Sequence, residues 1–141
     1  AVEQDQNIRI SNVVFMGIGE PLDNYDNVVN AIHIINNPKG LNIGARHISV
    51  STSGLVPKIY QLADENIQCT LSISLHATNN EKRSGMMPVN NAYPIEELIQ
   101  ACKDYIAKKE LKNGRVLWPL RTAVSGKQMT PGVAKGYVMP C

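Results

Sequence analysis

Two hydrophobic periods alternate along this chain, and the alternation restricts its fold more than any other feature. Asn12-Val13-Val14-Phe15-Met16 is a nearly continuous apolar run ending at Gly17, the pattern of a strand buried on both faces. From Tyr25 the spacing turns helical. Val28, Val29, Ile32 and Ile35 share one face, Asp23 or Asn24 can serve as N-cap, and Asn36-Asn37-Pro38-Lys39-Gly40 supplies the stop. The cycle repeats with a strand at His47–Ser51, an exit turn at Thr52-Ser53-Gly54, and a short helix from Leu55 to Glu65 opened by Pro57. Ile67, Cys69, Leu71, Ile73 and Leu75 then alternate with polar residues, which is period two and predicts a strand. A turn-rich stretch, Ala77 to Asn91, precedes a helix opened by Pro94, whose stripe is Ile95, Leu98, Ile99, Cys102, Tyr105 and Ile106. Its acids, Glu96 and Glu97, come early and its lysines, Lys103 and Lys108, come late, as the helix dipole favours.

The resulting order, β-α-β-α-β-loop-α, predicts an α/β fold with right-handed crossovers and a parallel sheet. Arg115-Val116 could start a further strand, but Pro119 interrupts it, and Ser125 to Cys141 has no period. The expected division is therefore a βα core over residues 1–116 and an irregular tail over 117–141.

Composition narrows the function classes. With 43% hydrophobic and 18% charged residues the chain is globular rather than disordered. No apolar run approaches the roughly 18 residues that cross a bilayer. The first residues lack both a signal-peptide pattern and an initiator Met, so a start further upstream is expected. A net charge of +2 does not announce a nucleic-acid partner. Cys69, Cys102 and Cys141 are too scattered for a disulfide framework or a zinc site, which makes a reducing cytoplasm the expected compartment. Cys69 and Cys102 fall on apolar stripes and read as small core residues.

In parallel α/β folds ligands lie at the carboxyl ends of strands, and three such ends carry chemistry. Gly17-Ile18-Gly19-Glu20-Pro21 is not a dinucleotide fingerprint, because the third glycine is missing. Glu20 offers a carboxylate suited to a ligand ammonium; the alternative is a plain turn with a solvated glutamate. At Ser51-Thr52-Ser53-Gly54 the hydroxyls can bind a sugar or a carboxylate, or simply cap a helix. At Ser74-Leu75-His76 the imidazole can carry a proton, contact a ligand or pack in the core. His33 and His47 read as structural. The P-loop, the nucleophile elbow and metal-ligand spacing are all missing from the sequence.

Taken together, Asn12–Tyr25 with its G-E-P motif, Ala45–Gly54 with S-T-S-G, and Ser72–Ala77 with S-L-H closely resemble the RlmN/Cfr family of radical S-adenosylmethionine RNA methyltransferases. Met87-Pro88-Val89-Asn90 and the helix start at Tyr93–Leu98 resemble it as well, so the likeness runs from about Asn12 to Gly114. It implies part of a (β/α)₆ partial TIM barrel, with S-adenosylmethionine and a [4Fe-4S] cluster as cofactors. The implied activity is methylation of an adenine in 23S rRNA, at carbon 2 in the RlmN branch, with tRNA as a second substrate. The implied S-adenosylmethionine contacts are Gly19, Glu20, Ser51, Ser74, Leu75 and His76.

The family pattern is not complete in this chain. The cluster motif C-x₃-C-x₂-C is missing, so neither cluster ligands nor catalytic cysteines are assigned to Cys69, Cys102 or Cys141. The isolated chain is expected to be inactive and, with an open sheet edge, to self-associate. Leu117–Thr122 breaks the strand that the family pattern places there, while Val124–Pro131 resembles the family's next turn; a local frame error and divergence both produce such a break. The reading from a different class is a cofactor-free βα module that binds RNA through Lys82-Arg83 and Lys108-Lys109-Lys112-Arg115.

Overall fold

The structure is a computed structural model, and it describes residues 5–16 and 18–111. The expected tail, the strand at Arg115-Val116, and the positions Gly17, Lys112 and Cys141 lie outside the described residues. The chain divides into two compact units. Among the described residues, the first comprises those up to Thr52 together with Glu65–Ser72, and the second comprises Ser53–Asp64 and those from Ile73 to Leu111.

The first unit contains the parallel sheet. Strand β1 (Val13–Phe15) pairs with β2 (Ile48–Thr52) in the register Val13↔Ile48 and Phe15↔Val50, and β3 (Thr70–Ile73) lies on the other side of β2. Ile48 and Val50 are fully buried, as a central strand requires. β1 departs from expectation: it is an edge of the described sheet, and Val14 and Met16 are 54% and 72% exposed rather than buried on both faces. Its apolar run records residue type, not the number of neighbours, and among the described residues nothing pairs with its outer edge. Alternation along Ile67–Leu75 gives buried Ile67, Cys69, Leu71 and Leu75, but only Thr70–Ile73 is strand.

A 3-10 turn, Pro21–Asn24, buries Leu22 completely and leads into helix α1 (Tyr25–Asn36), whose buried face is Tyr25, Val28 and Ile32. Asn24 occupies the N-cap position, but its side chain accepts from Asn27 rather than from the backbone. The Tyr25 hydroxyl donates to Glu65 at 3.0 Å, and burial plus that carboxylate push its pKa well above the ordinary phenol range.

The second unit is built on helix α2 (Val56–Asp64) packed against a long helix that runs from Ile95 to Lys108. Every residue of the expected stripe on that long helix is buried. Between them, the stretch expected as turns folds into α3 (Asn80–Met86) and α4 (Val89–Ala92), which makes the long helix α5. Asn79 opens α3 by accepting from the Lys82 amide. No apolar stripe announces α3, because its one buried side chain is that of Arg83. Lys108 pairs with Asp64 on the surface, where both are more than half exposed and the pair contributes little.

Both the thiols of Cys69 and Cys102 are buried, as expected of small core residues. Among the described residues no helix is long and apolar enough to cross a membrane.

Candidate cofactor site

The exit of β1 is shaped by backbone conformation before side chains enter. Gly19 has φ +123°, a region that other residues enter only under strain, and a Cβ there would meet nothing within 4 Å. The glycine is thus required by the turn and not by crowding. Glu20 follows in extended conformation, and one carboxylate oxygen accepts from the Leu22 amide at 3.0 Å, capping the 3-10 turn. Pro21 starts that turn, where its missing N–H costs nothing. Glu20 is therefore neither a bare solvated acid nor the opening of a phosphate loop. A carboxylate has about four acceptor sites, so this cap leaves Glu20 chemically able to receive an ammonium.

Glu20 and Gly19 stand at the rim of an open depression of about 470 Å³, which is also lined by Phe15, Met16, Ile18, Asn24 and Val28. Its volume lies within the roughly 300–1,000 Å³ of small-molecule sites, and its apolar walls with one carboxylate have the usual chemical make-up. Ser51 lies one residue beyond the Phe15↔Val50 pair, so in this parallel ladder it stands at the same end of the sheet as the β1 exit. It is 7% exposed.

In the second unit, Ser74, Leu75 and His76 follow β3. Leu75 is buried and His76 is exposed, which removes the reading of its imidazole as a packed core group. His76 adopts φ +61°, and the Ala77 amide donates back to the Leu75 carbonyl at 2.8 Å. This is a tight three-residue turn of a strained kind, and it aims an ionisable ring outward. His33 and His47 are exposed, and His47 Nδ1 lies 3.1 Å from the Asn12 side-chain oxygen.

The donors fit the two implied cofactors unequally. A carboxylate, a buried hydroxyl and a glycine turn suit the ammonium and carboxylate of an amino-acid ligand. A [4Fe-4S] cluster needs thiolates, and the described thiols are wrong for it. Both are buried, and burial pushes the Cys102 thiol up to about 12. Among the described residues no group of three His, Cys, Asp or Glu could hold a metal ion.

Of the basic residues named for the RNA-binding alternative, Lys82 is exposed, and Lys112 and Arg115 lie outside the described residues. Arg83 is fully buried and Lys109 is 8% exposed, while Lys108 is occupied by Asp64. Adjacent basic letters suggested a surface; helix geometry puts Arg83 and Lys109 inside. The sequence reading did not anticipate that Arg83 and Asn90 are buried.

The parallel βα segment is similar to part of a radical S-adenosylmethionine methyltransferase. A solved radical SAM methyltransferase from Sphaerobacter thermophilus superimposes with a TM-score of 0.74 at 43% identity, covering 79% of this chain and 33% of that one. The dual-specificity RNA methyltransferase RlmN of Thermoanaerobacter sp. (strain X514) is 60% identical over 108 residues, 77% of this chain and 31% of the relative. The RlmN of Geobacillus kaustophilus (strain HTA426) is 59% identical over 104 residues, 74% of this chain and 28% of the relative. Over about three quarters of its length the chain is therefore similar to one part of the RlmN methyltransferases. It spans about a third of the length of the curated relatives it matches. A model described as an anticodon binding domain also matches residues 87–138, a stretch that begins just before α4 and extends past the described residues.

Proposed function

We propose that this chain contributes the S-adenosylmethionine-holding segment of an RNA methyltransferase that modifies carbon 2 of an adenine in 23S rRNA and in tRNA. Gly19, Glu20 and Ser51 are the contacts in the first unit; Ser74, Leu75 and His76 are those in the second. The observation that carries the reading is the β1 exit, where a glycine at φ +123° sets a carboxylate on the rim of a 470 Å³ depression. Glu20 receives the methionine ammonium, and Gly19 permits close backbone approach. Ser51 offers a hydroxyl to ribose or carboxylate, and His76 presents an exposed ring. S-adenosylmethionine, when bound, supplies the methyl group. The buried thiols of Cys69 and Cys102 are not cluster ligands in this reading. The exposed Val14 and Met16 favour self-association of the isolated chain.

Glu20→Gln is the discriminating variant, because the amide oxygen keeps the cap on Leu22 while the charge is lost. Calorimetric titration of S-adenosylmethionine into the full chain should give an affinity about tenfold weaker for Glu20→Gln, the scale of one charge-assisted hydrogen bond. The melting temperature should be unchanged. Equal affinities for the two proteins would remove Glu20 from the site.

A further inference from the structure

Arg83 is fully buried, and its three acceptors are all neutral. Nε donates to the Leu75 carbonyl at 3.2 Å, Nη1 to the Asn90 side-chain oxygen at 2.7 Å, and Nη2 to the Ser53 carbonyl. Burying a guanidinium without a carboxylate is costly, and a core that needed only volume would use leucine or methionine. What the arginine provides is a planar fork of fixed geometry, which a lysine ammonium lacks.

The two carbonyls belong to residues of the second unit that follow β2 and β3 in sequence. Ser53 precedes Gly54, whose φ is +107°; a Cβ on Gly54 would come within 3.3 Å of Nη2. Leu75 precedes His76, at φ +61°, and its carbonyl already accepts from Ala77. Gly54 and His76 thus both adopt left-handed conformations next to a carbonyl held by the same guanidinium. Asn90 is itself held, its side-chain amide donating to the Asn80 carbonyl at 3.2 Å and to Ser84 Oγ at 2.9 Å. Asn80 in turn accepts from the Ile95 amide at the start of α5.

We propose that Arg83 is a positioning residue for the cofactor site, clamping the Ser53 and Leu75 carbonyls so that His76 is held outward in its strained turn. The proposal rests on the reading of Ser74–His76 as ligand contacts. It assigns no contact between Arg83 and the ligand.

Arg83→Lys in the full chain tests it, because charge and stem are kept and the fork is lost. Two readouts separate the clamp from the ligand reading: the backbone chemical shifts of His76, which report its positive φ, and calorimetric affinity for S-adenosylmethionine per folded molecule. The expected result is that His76 loses its left-handed shifts and affinity falls at least tenfold, while α5 keeps its shifts. Unchanged His76 shifts and unchanged affinity, with only a lower melting temperature, would reduce Arg83 to a packing role and overturn the proposal. If wild type binds no S-adenosylmethionine, the ligand reading fails and the clamp as a site device falls with it; the His76 shifts then show whether the clamp exists as geometry. Should Arg83→Lys not fold, Asn90→Ala removes one of the three acceptors. It is expected to move the His76 shifts in the same direction, and their constancy would overturn the proposal.

Discussion

Gly54→Ala is expected to destabilise the second unit by about 3 kcal/mol, chiefly because alanine is strained at φ +107°. Crowding adds to this, since the new Cβ would lie 2.9 Å from a Leu98 methyl that is itself fully buried. The two contributions separate in a double mutant. Leu98→Ala alone should cost about 2–5 kcal/mol as a core truncation. Combined with Gly54→Ala, the total should fall short of the sum by about 1 kcal/mol, because the overlap disappears while the strain does not. Gly85→Ala is the counter-case. Gly85 lies within helix α3, an added Cβ meets nothing within 4 Å, and no positive φ is involved. There the same substitution should stabilise by about 0.5–1 kcal/mol. Urea denaturation of the four variants measures all of this. Equal effects at Gly54 and Gly85 would contradict the assigned conformations.

Alkali should unfold the protein through Cys102. Its thiol titrates near 9 when solvated and at about 12 in the fold, where it is fully buried. Below pH 9 both states hold the proton, and the contribution to stability is fully present. Between pH 9 and 12 the unfolded chain gives up a proton that the folded chain keeps, so stability falls with rising pH. The slope from one thiol is up to about 1.4 kcal/mol per pH unit, or about 4 kcal/mol over the window. Tyr25, raised by burial and by Glu65, adds in the same direction above the ordinary phenol pKa. Denaturation midpoints from pH 8 to 11 should therefore fall less steeply for Cys102→Ala than for wild type, whatever the baseline cost of the substitution. Parallel curves would mean that the thiol is not shielded.

What could be read in the sequence follows from which physical quantity each pattern records. The α5 stripe was complete because an amphipathic helix writes every buried position at fixed spacing, from Ile95 to Ile106. The alternation over Ile67–Leu75 was equally clear, yet it reports burial and not ladder pairing, and only Thr70–Ile73 is strand. β1 was misjudged for a related reason: a run of apolar letters cannot show that one edge has no described neighbour. Helices α3 and α4 were illegible because their buried groups are Arg83 and Asn90, polar residues whose partners fall at no regular spacing, from 6 to 30 residues away.

The candidate site divides along the same line. Gly19, Glu20 and the strand ends could be found because turn chemistry and strand exits are local. The positive φ at Gly19 and His76, and the capping role of Glu20, are local as well, but they are conformations that the letters do not specify and needed coordinates. The guanidinium clamp was out of reach. Its acceptors at Ser53, Leu75 and Asn90 are 30, 8 and 7 residues from Arg83, with no periodicity to connect them.

The proposed S-adenosylmethionine contacts are Gly19, Glu20 and Ser51 in the first unit and Ser74–His76 in the second. Backbone amide chemical shifts of the full chain during a titration with S-adenosylmethionine test this assignment most directly. Saturable shifts concentrated at those positions, and greatly weakened by Glu20→Gln, are the predicted result. Shifts at other positions, or none at millimolar ligand with the fold intact, would contradict it.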